Sequence, residues 1–332
     1  MEIDISISAL SNSQAPQAHF ADRLIASIRQ KGNPVCVGLD PRLEQIPEFI
    51  KERQIKNYGR TVEAAANSLL EFNQGIIDAV ADVVPCVKPQ SAFYEQYGFI
   101  GSWVFEQTCK YAQDKGLIVI ADVKRNDIGS TAEAYAKAYL DDVTVFDETF
   151  PGMSVDALTV TPYLGYDGVK PFIELAKKKA KGLFILLKTS NPSSGDLQDQ
   201  LLDERVAEGF GTEGRLTNYE LMAHLMESWG ADEVGESGYS FVGAVVGATY
   251  PKQATRLRQI LPETFFLVPG YGAQGGRAED VKPCFNDDGL GAIVSSSRDI
   301  IFAYQENPEF PPTAYAEAAR AAALAMAQEL RT

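Results

Sequence analysis

Asp122, Lys124 and Asp127, with Lys88 upstream, are the side chains whose types and spacing offer chemistry in this chain. The stretch Asp122-Val123-Lys124-Arg125-Asn126-Asp127 follows directly on the apolar run Leu117–Ala121, where a buried strand hands over to a loop. A charge taken out of water is costly unless it is paired and hydrogen-bonded, so charges at a strand end indicate a site. Residues two apart on a strand leave the same face, which directs Asp122 and Lys124 together. Lys88 closes the preceding apolar run, and Asp127 lies in the turn before Gly129-Ser130-Thr131, where a helix starts. The four can therefore converge. A lysine held between carboxylates keeps its proton, which disfavours Schiff-base chemistry and favours proton donation to a carbanion. A carboxylate placed beside a substrate carboxylate raises the energy of the latter and favours its loss as carbon dioxide. Decarboxylation followed by protonation fits these residues without a cofactor.

Such a site needs strands to present it. Short apolar runs recur at Val35–Asp40, Val83–Lys88, Leu117–Lys124, Ala157–Thr161, Leu183–Lys188, Phe241–Gly247, Phe265–Pro269 and Ala292–Ser296. They are nearly continuous rather than alternating, as parallel strands buried on both faces should be. Helical stripes fill the gaps, among them Leu69, Leu70, Phe72, Ile76, Ile77 and Val80; Val169, Phe172, Ile173 and Ala176; and Met222, Leu225, Met226 and Trp229. Eight strands alternating with helices predict an α/β fold, a single (β/α)8 TIM barrel, better than a doubly wound sheet with a Gly-rich first turn. The first run ends instead in Gly38-Leu39-Asp40-Pro41. Residues 189–239, after the fifth strand, read as a long loop with added helices, placed to serve as a lid. Residues 1–20 read as an N-terminal extension and 311–332, rich in alanine, as a C-terminal helix on the barrel. No composition shift divides the chain, so 1–332 reads as one domain.

In such barrels the active site lies at the C-terminal ends of the strands. Asp40, Lys88, Asp122 with Lys124, Thr161, and Lys188 with Thr189 and Ser190 close successive runs. The last two runs end in Gly270-Tyr271-Gly272-Ala273-Gln274-Gly275-Gly276 and Ser295-Ser296-Ser297-Arg298, and exposed amides beside a guanidinium fit a phosphate. Taken one at a time these residues have plainer readings. The glycines fit a tight turn, Arg298 an ion pair with Asp299, Asp40 an N-cap after Pro41, Thr161 a strand terminus, and the charges as a group a plug for the barrel mouth.

Composition narrows the partners. Thirty basic against 45 acidic residues give a net charge of -15, which argues against non-specific binding to nucleic acid or to an anionic membrane surface. No run approaches the length of a membrane-spanning helix, and the first eighteen residues lack a basic segment followed by an apolar one, so the expected location is the cytoplasm. Cys36, Cys86, Cys109 and Cys284 are far apart and read as buried free thiols, with no metal site.

The stretch from Asp122 to Asp127, continued by Ile128-Gly129-Ser130-Thr131 and with Lys88 upstream, resembles the Asp-x-Lys-x-x-Asp-Ile signature of the orotidine 5'-phosphate decarboxylase family. Val37-Gly38-Leu39-Asp40, Lys88-Pro89-Gln90-Ser91-Ala92-Phe93-Tyr94-Glu95, Lys188-Thr189-Ser190-Asn191-Pro192, Val268–Gln274 and Ser295–Arg298 resemble its longer bacterial branch, type 2. The resemblance covers roughly residues 30–310. It implies conversion of orotidine 5'-phosphate to UMP, the last step of pyrimidine synthesis, with no cofactor and no metal. It also implies that Lys124 donates a proton to C6 of the pyrimidine and that Asp122 faces the leaving carboxylate. Lys88 would complete the charged set and contact the ribose, and Asp40 would hold a ribose hydroxyl. Ser190 would contact the pyrimidine, and Gln274 and Arg298 the phosphate. Asp127, Ile128 and Thr131 would reach into a second subunit's site, making a homodimer with shared active sites.

Two other readings stay open. A metal-dependent sugar-phosphate decarboxylase or epimerase on the same barrel would need further carboxylate ligands where this chain has Lys88. A non-catalytic nucleotide-phosphate-binding barrel would keep the phosphate loops, but the full charge set argues against it.

Overall fold

The computed structural model describes residues 18–272 and 274–331; most of the expected N-terminal extension, residues 1–20, lies outside them. The apolar runs become the strands β1 (Val35–Leu39), β2 (Cys86–Pro89), β3 (Ile118–Arg125), β6 (Ala157–Val160), β7 (Gly182–Lys188), β8 (Ser240–Val246), β9 (Thr264–Val268) and β10 (Ala292–Ser296). They close into one parallel barrel in the order β1-β10-β9-β8-β7-β6-β3-β2. The remaining two, β4 (Val143–Val145) and β5 (Glu148–Phe150), form a separate exposed antiparallel hairpin ahead of β6. Every residue of β1, β2, β8, β9 and β10 is buried, which is why these strands read as unbroken apolar runs.

Helices cover the barrel where the apolar stripes fall. Val62–Val80 buries Leu69, Phe72, Ile76, Ile77 and Val80, and its N-cap Thr61 accepts a hydrogen bond from the Ala64 N–H at 3.2 Å. Tyr166–Lys179 buries Val169, Phe172, Ile173 and Ala176, and ends in three lysines that suit the negative end of a helix dipole. Of the third stripe only Met226 is fully buried, on the helix Asn218–Gly230 that starts at a Thr217/Glu220 capping box. Between β7 and that helix the chain forms a 3-10 turn, Pro192–Asp196, and a short helix, Glu204–Gly209.

The two ends of the barrel are finished differently. Helix Phe20–Lys31 crosses the N-terminal ends of the strands, where Phe20 occupies the space a side chain on Gly182 would need: a Cβ there would stand 2.2 Å from the Phe20 ring. Helix Tyr315–Glu329 packs outside, with Tyr315 stacked on Phe72 at 5.0 Å. The C-terminal ends of the strands stay open. All four cysteines are buried and free. Among the described residues no helix is long and apolar enough to cross a membrane.

Candidate active site

A cavity of about 490 Å³ opens at the C-terminal ends of the strands. Its floor is Asp122, 7% exposed, and the carboxylate is held from four sides. Lys88 Nζ, from β2, lies 2.9 Å from Oδ2, and Gln90 Nε2 donates to the same oxygen at 2.9 Å. Lys124 Nζ lies 2.6 Å from Oδ1, to which Thr159 Oγ1, from β6, donates at 2.9 Å.

The local backbone explains how Lys124 reaches that position. Simple alternation along β3 does not bring it there, because the pairing with β6 slips between Ala121 and Arg125. Lys124 sits at φ +46°, in the left-handed region, at this irregularity. Non-glycine residues held there are strained and persist only where their surroundings fix them. Here the fixing group is Thr159, whose hydroxyl oxygen accepts from the backbone N–H of Val123 at 3.0 Å and of Lys124 at 2.9 Å.

The electrostatics follow from the geometry. Burial alone pushes the Asp122 carboxyl up, but the charges of Lys88 and Lys124 and their hydrogen bonds overcome it and hold the group well below the usual carboxylate range. Burial likewise pulls Lys88 down, and Asp122 and Asp40 outweigh it, so its ammonium is held above the usual lysine range. Both stay ionised at neutral pH. Lys88 is 6% exposed, whereas the Lys124 side chain is 45% exposed and lies on the open side of the pair.

Asp40 lines the same cavity from the end of β1. It does not cap a helix: the turn that follows is a short 3-10 segment, Leu43–Gln45, with no side-chain cap. Its Oδ1 is buried without a hydrogen-bond partner, so an acceptor there faces the cavity unsatisfied.

The opposite wall carries Ser190, Gln274 and Arg298. Ser190 Oγ donates to Gln274 Oε1 at 2.8 Å. Arg298 makes no ion pair among the described residues, leaving its guanidinium to the cavity rather than to Asp299. Close packing of backbone shapes this wall. Gly38 lets β1 pass Ser297, since a Cβ would stand 1.8 Å from its Oγ. Gly272, at φ +71°, leaves no room either, since a Cβ would stand 1.9 Å from Asp299 Oδ2.

Three of the sequence-expected residues lie apart from this cavity. Asp127, Ile128 and Thr131 do not line it; Asp127 accepts from the Ile128 N–H at 2.8 Å, and Ile128 is 52% exposed. Within one chain, then, Lys88, Asp122 and Lys124 converge and Asp127 does not. Two strand-end residues also turn elsewhere. Thr161 lines a neighbouring cavity, and Lys188, entirely buried, donates to Ser194 Oγ and Asp199 Oδ2 at 3.0 Å each and lies 4.3 Å over the Tyr250 ring. The pairing of β7 with β8 slips between Leu186 and Lys188, which breaks the alternation that reading relied on. Lys188 thus anchors the segment that follows Ser190.

Sequence reasoning passed over Gln90 and Thr159. Each had a signal, since Gln90 lies two residues beyond Lys88 and Thr159 is a polar residue set inside an otherwise apolar run.

Comparisons with known proteins point to one family. The model of the orotidine 5'-phosphate decarboxylase / HUMPS family matches residues 33–309. An orotidine 5'-phosphate decarboxylase of Rhodopirellula baltica is 45% identical over 316 residues, 94% of this chain and 99% of that protein. One from Caldicellulosiruptor bescii is 43% identical over 299 residues, 90% of this chain and 94% of that protein. Among solved structures, the OMP decarboxylase of Leishmania donovani superposes with a TM-score of 0.68 at 27% identity, covering 94% of this chain and 97% of that one. With these matches spanning nearly its whole length, the chain belongs to the orotidine 5'-phosphate decarboxylase family.

Proposed function

We infer that this chain is an orotidine 5'-phosphate decarboxylase, converting orotidine 5'-phosphate to UMP and carbon dioxide. The observation that carries the reading is one buried carboxylate held ionised between two ammonium groups, Asp122 with Lys88 at 2.9 Å and Lys124 at 2.6 Å, in a cavity also lined by the Arg298 guanidinium. Arg298 and Gln274 take the phosphate, Ser190 the pyrimidine, and Asp40 and Lys88 the ribose hydroxyls. That grip places the substrate carboxylate against Asp122. Because the two lysines hold Asp122 ionised, it does not relieve the repulsion by taking a proton. The C6–carboxylate bond breaks, its electron pair stays on C6, and carbon dioxide leaves. Lys124 then delivers a proton from Nζ to C6, and its open side lets solvent return one.

In this reading 1–332 works as one catalytic domain in the cytoplasm and as a homodimer. Asp127, Ile128 and Thr131, turned away from their own cavity, reach the partner's site. A monomer with full activity in sedimentation and dilution assays would sink the shared site.

The reading calls for no cofactor, which chelation tests. Purified protein, exhaustively treated with EDTA, is mixed with orotidine 5'-phosphate, and UMP and carbon dioxide are measured. Equal amounts of both are expected at the untreated rate. Activity lost on chelation and restored by a divalent ion would replace this reading with a metal-dependent one.

A further inference from the structure

Thr159 contributes a single hydroxyl, and that hydroxyl has three partners, all in the catalytic stretch of β3. It donates to Asp122 Oδ1 at 2.9 Å and accepts from the backbone N–H groups of Val123 at 3.0 Å and Lys124 at 2.9 Å. A hydroxyl has one proton to give and two lone pairs to receive, so its hydrogen-bonding capacity is fully used within this stretch. The side chain is 1% exposed, and β-branching leaves it few rotamers, so the oxygen is fixed in place by β6. Both accepted bonds come from amides at the slip in the β3–β6 pairing, where no strand partner is available in the ordinary ladder.

We propose that Thr159 is a positioning residue of the decarboxylation, setting the Asp122 carboxylate and the Lys124 ammonium in register through one hydroxyl. This deepens the decarboxylase reading and rests on it. The Lys124 backbone at φ +46° is not a conformation a lysine adopts unaided. The two amide bonds to Thr159 hold that turn, and the turn is what brings Nζ back over Oδ1. The same oxygen orients Oδ1 from the opposite side. Remove the hydroxyl and both reacting groups lose a common reference, although neither is itself altered. The groups that grip the phosphate, Gln274 and Arg298, stand on the other wall and are untouched.

The test is Thr159→Val, which keeps shape and removes the hydroxyl, beside Thr159→Ser, which keeps the hydroxyl and removes the methyl. Steady-state kcat and KM for orotidine 5'-phosphate and the dissociation constant of UMP are measured for both and for wild type. The expected result is a fall of about 10²-fold in kcat for Thr159→Val, the scale on which misplacement of reacting groups acts, with KM and UMP affinity within about twofold. Thr159→Ser should retain kcat within about threefold. A kcat for Thr159→Val near that of wild type overturns the inference. So does a loss that appears equally in UMP affinity, or one that serine fails to rescue, since either marks general disruption. Should the valine variant not fold, Thr159→Ala against Thr159→Ser makes the same comparison, with UMP binding as proof of an intact fold. Absence of turnover in wild type would instead overturn the decarboxylase reading; equal turnover in wild type and Thr159→Val would overturn this inference alone.

Discussion

At the mouth of the barrel a buried carboxylate is surrounded by two cations beside open space; at the opposite end a buried cation is surrounded by neutral carbonyls and no space at all. Arg258, 8% exposed, donates to the carbonyl oxygens of Leu261, Thr264, Cys284 and Gly291 at 2.7–3.1 Å, and its guanidinium lies 3.7 Å over the Phe266 ring. These carbonyls belong to segments leading into β9 and β10, so the arginine stitches together the closed end of the barrel. Burial pulls its pKa down to about 10, and among the described residues no carboxylate forms an ion pair with it. Both regions bury a charge, and both satisfy its hydrogen bonds. The difference lies in what is left over. Around Arg258 every donor is matched by a fixed dipole and nothing more can enter, which is an arrangement for stability. Around Asp122 opposite charges face an open cavity, so a substrate can be set against them.

That contrast is broken most sharply at Lys124. Lys124→Ala is expected to lower kcat by at least about 10²-fold, the lower range for general acid catalysis, while UMP still binds. Steady-state kinetics read it, and a loss of less than about tenfold contradicts the proton-donor role. The matching change at the closed end is Arg258→Leu. It strips four buried carbonyls of donors at about 1–3 kcal/mol each, so chemical denaturation should show a loss of at least about 3 kcal/mol with kcat of the folded fraction retained. A catalytic defect without a stability defect would reverse the assignment of the two ends.

Between these extremes lies Lys188, a buried cation that serves a loop. Lys188→Met should detach Ser194 and Asp199 and let the segment beside Ser190 move, raising KM several-fold with a smaller effect on kcat. An unchanged KM would remove Lys188 from any part in holding that wall. The smallest expected effect is that of pH. The Asp122 carboxyl is lowered from 3.8, so it stays ionised as pH falls through the ordinary carboxylate range; its contribution to stability is present above that value and lost only as pH drops well below it. Lys88 is raised from 10.5, so its contribution is complete below that value and lost only as pH rises through the folded value above it. The kcat profile should therefore show no inflection from either group between about pH 5 and 9, and an inflection that vanishes in Asp122→Asn would contradict the electrostatics.

The same contrast explains what the sequence could and could not disclose. The eight barrel strands were readable because strands buried on both faces are apolar at every position, a signal independent of register. Most strand ends differ from the apolar runs by a single residue, and the largest displacement is at the start of β2, because Val83 and Val84 are buried in the turn before it. The hairpin β4–β5 went unread because its strands are only three residues long and neither has a buried residue to mark it. The charges of the site stood out where they interrupt an apolar run. Their arrangement did not, because it depends on two slips in strand pairing, one turning Lys124 over Asp122 and the other turning Lys188 out of the cavity. No glycine marks either slip. Arg258 was invisible for another reason: its partners are backbone carbonyls, and every residue has one.

The open end of the barrel is where the carbon–carboxylate bond breaks. A single turnover reads this step, with wild-type protein in excess over orotidine 5'-phosphate and the pyrimidine absorbance followed in time. Complete loss of the substrate signal is expected, with one UMP formed per substrate consumed. Substrate bound at the site with its absorbance unchanged would show a nucleotide-binding barrel that does not cleave the bond.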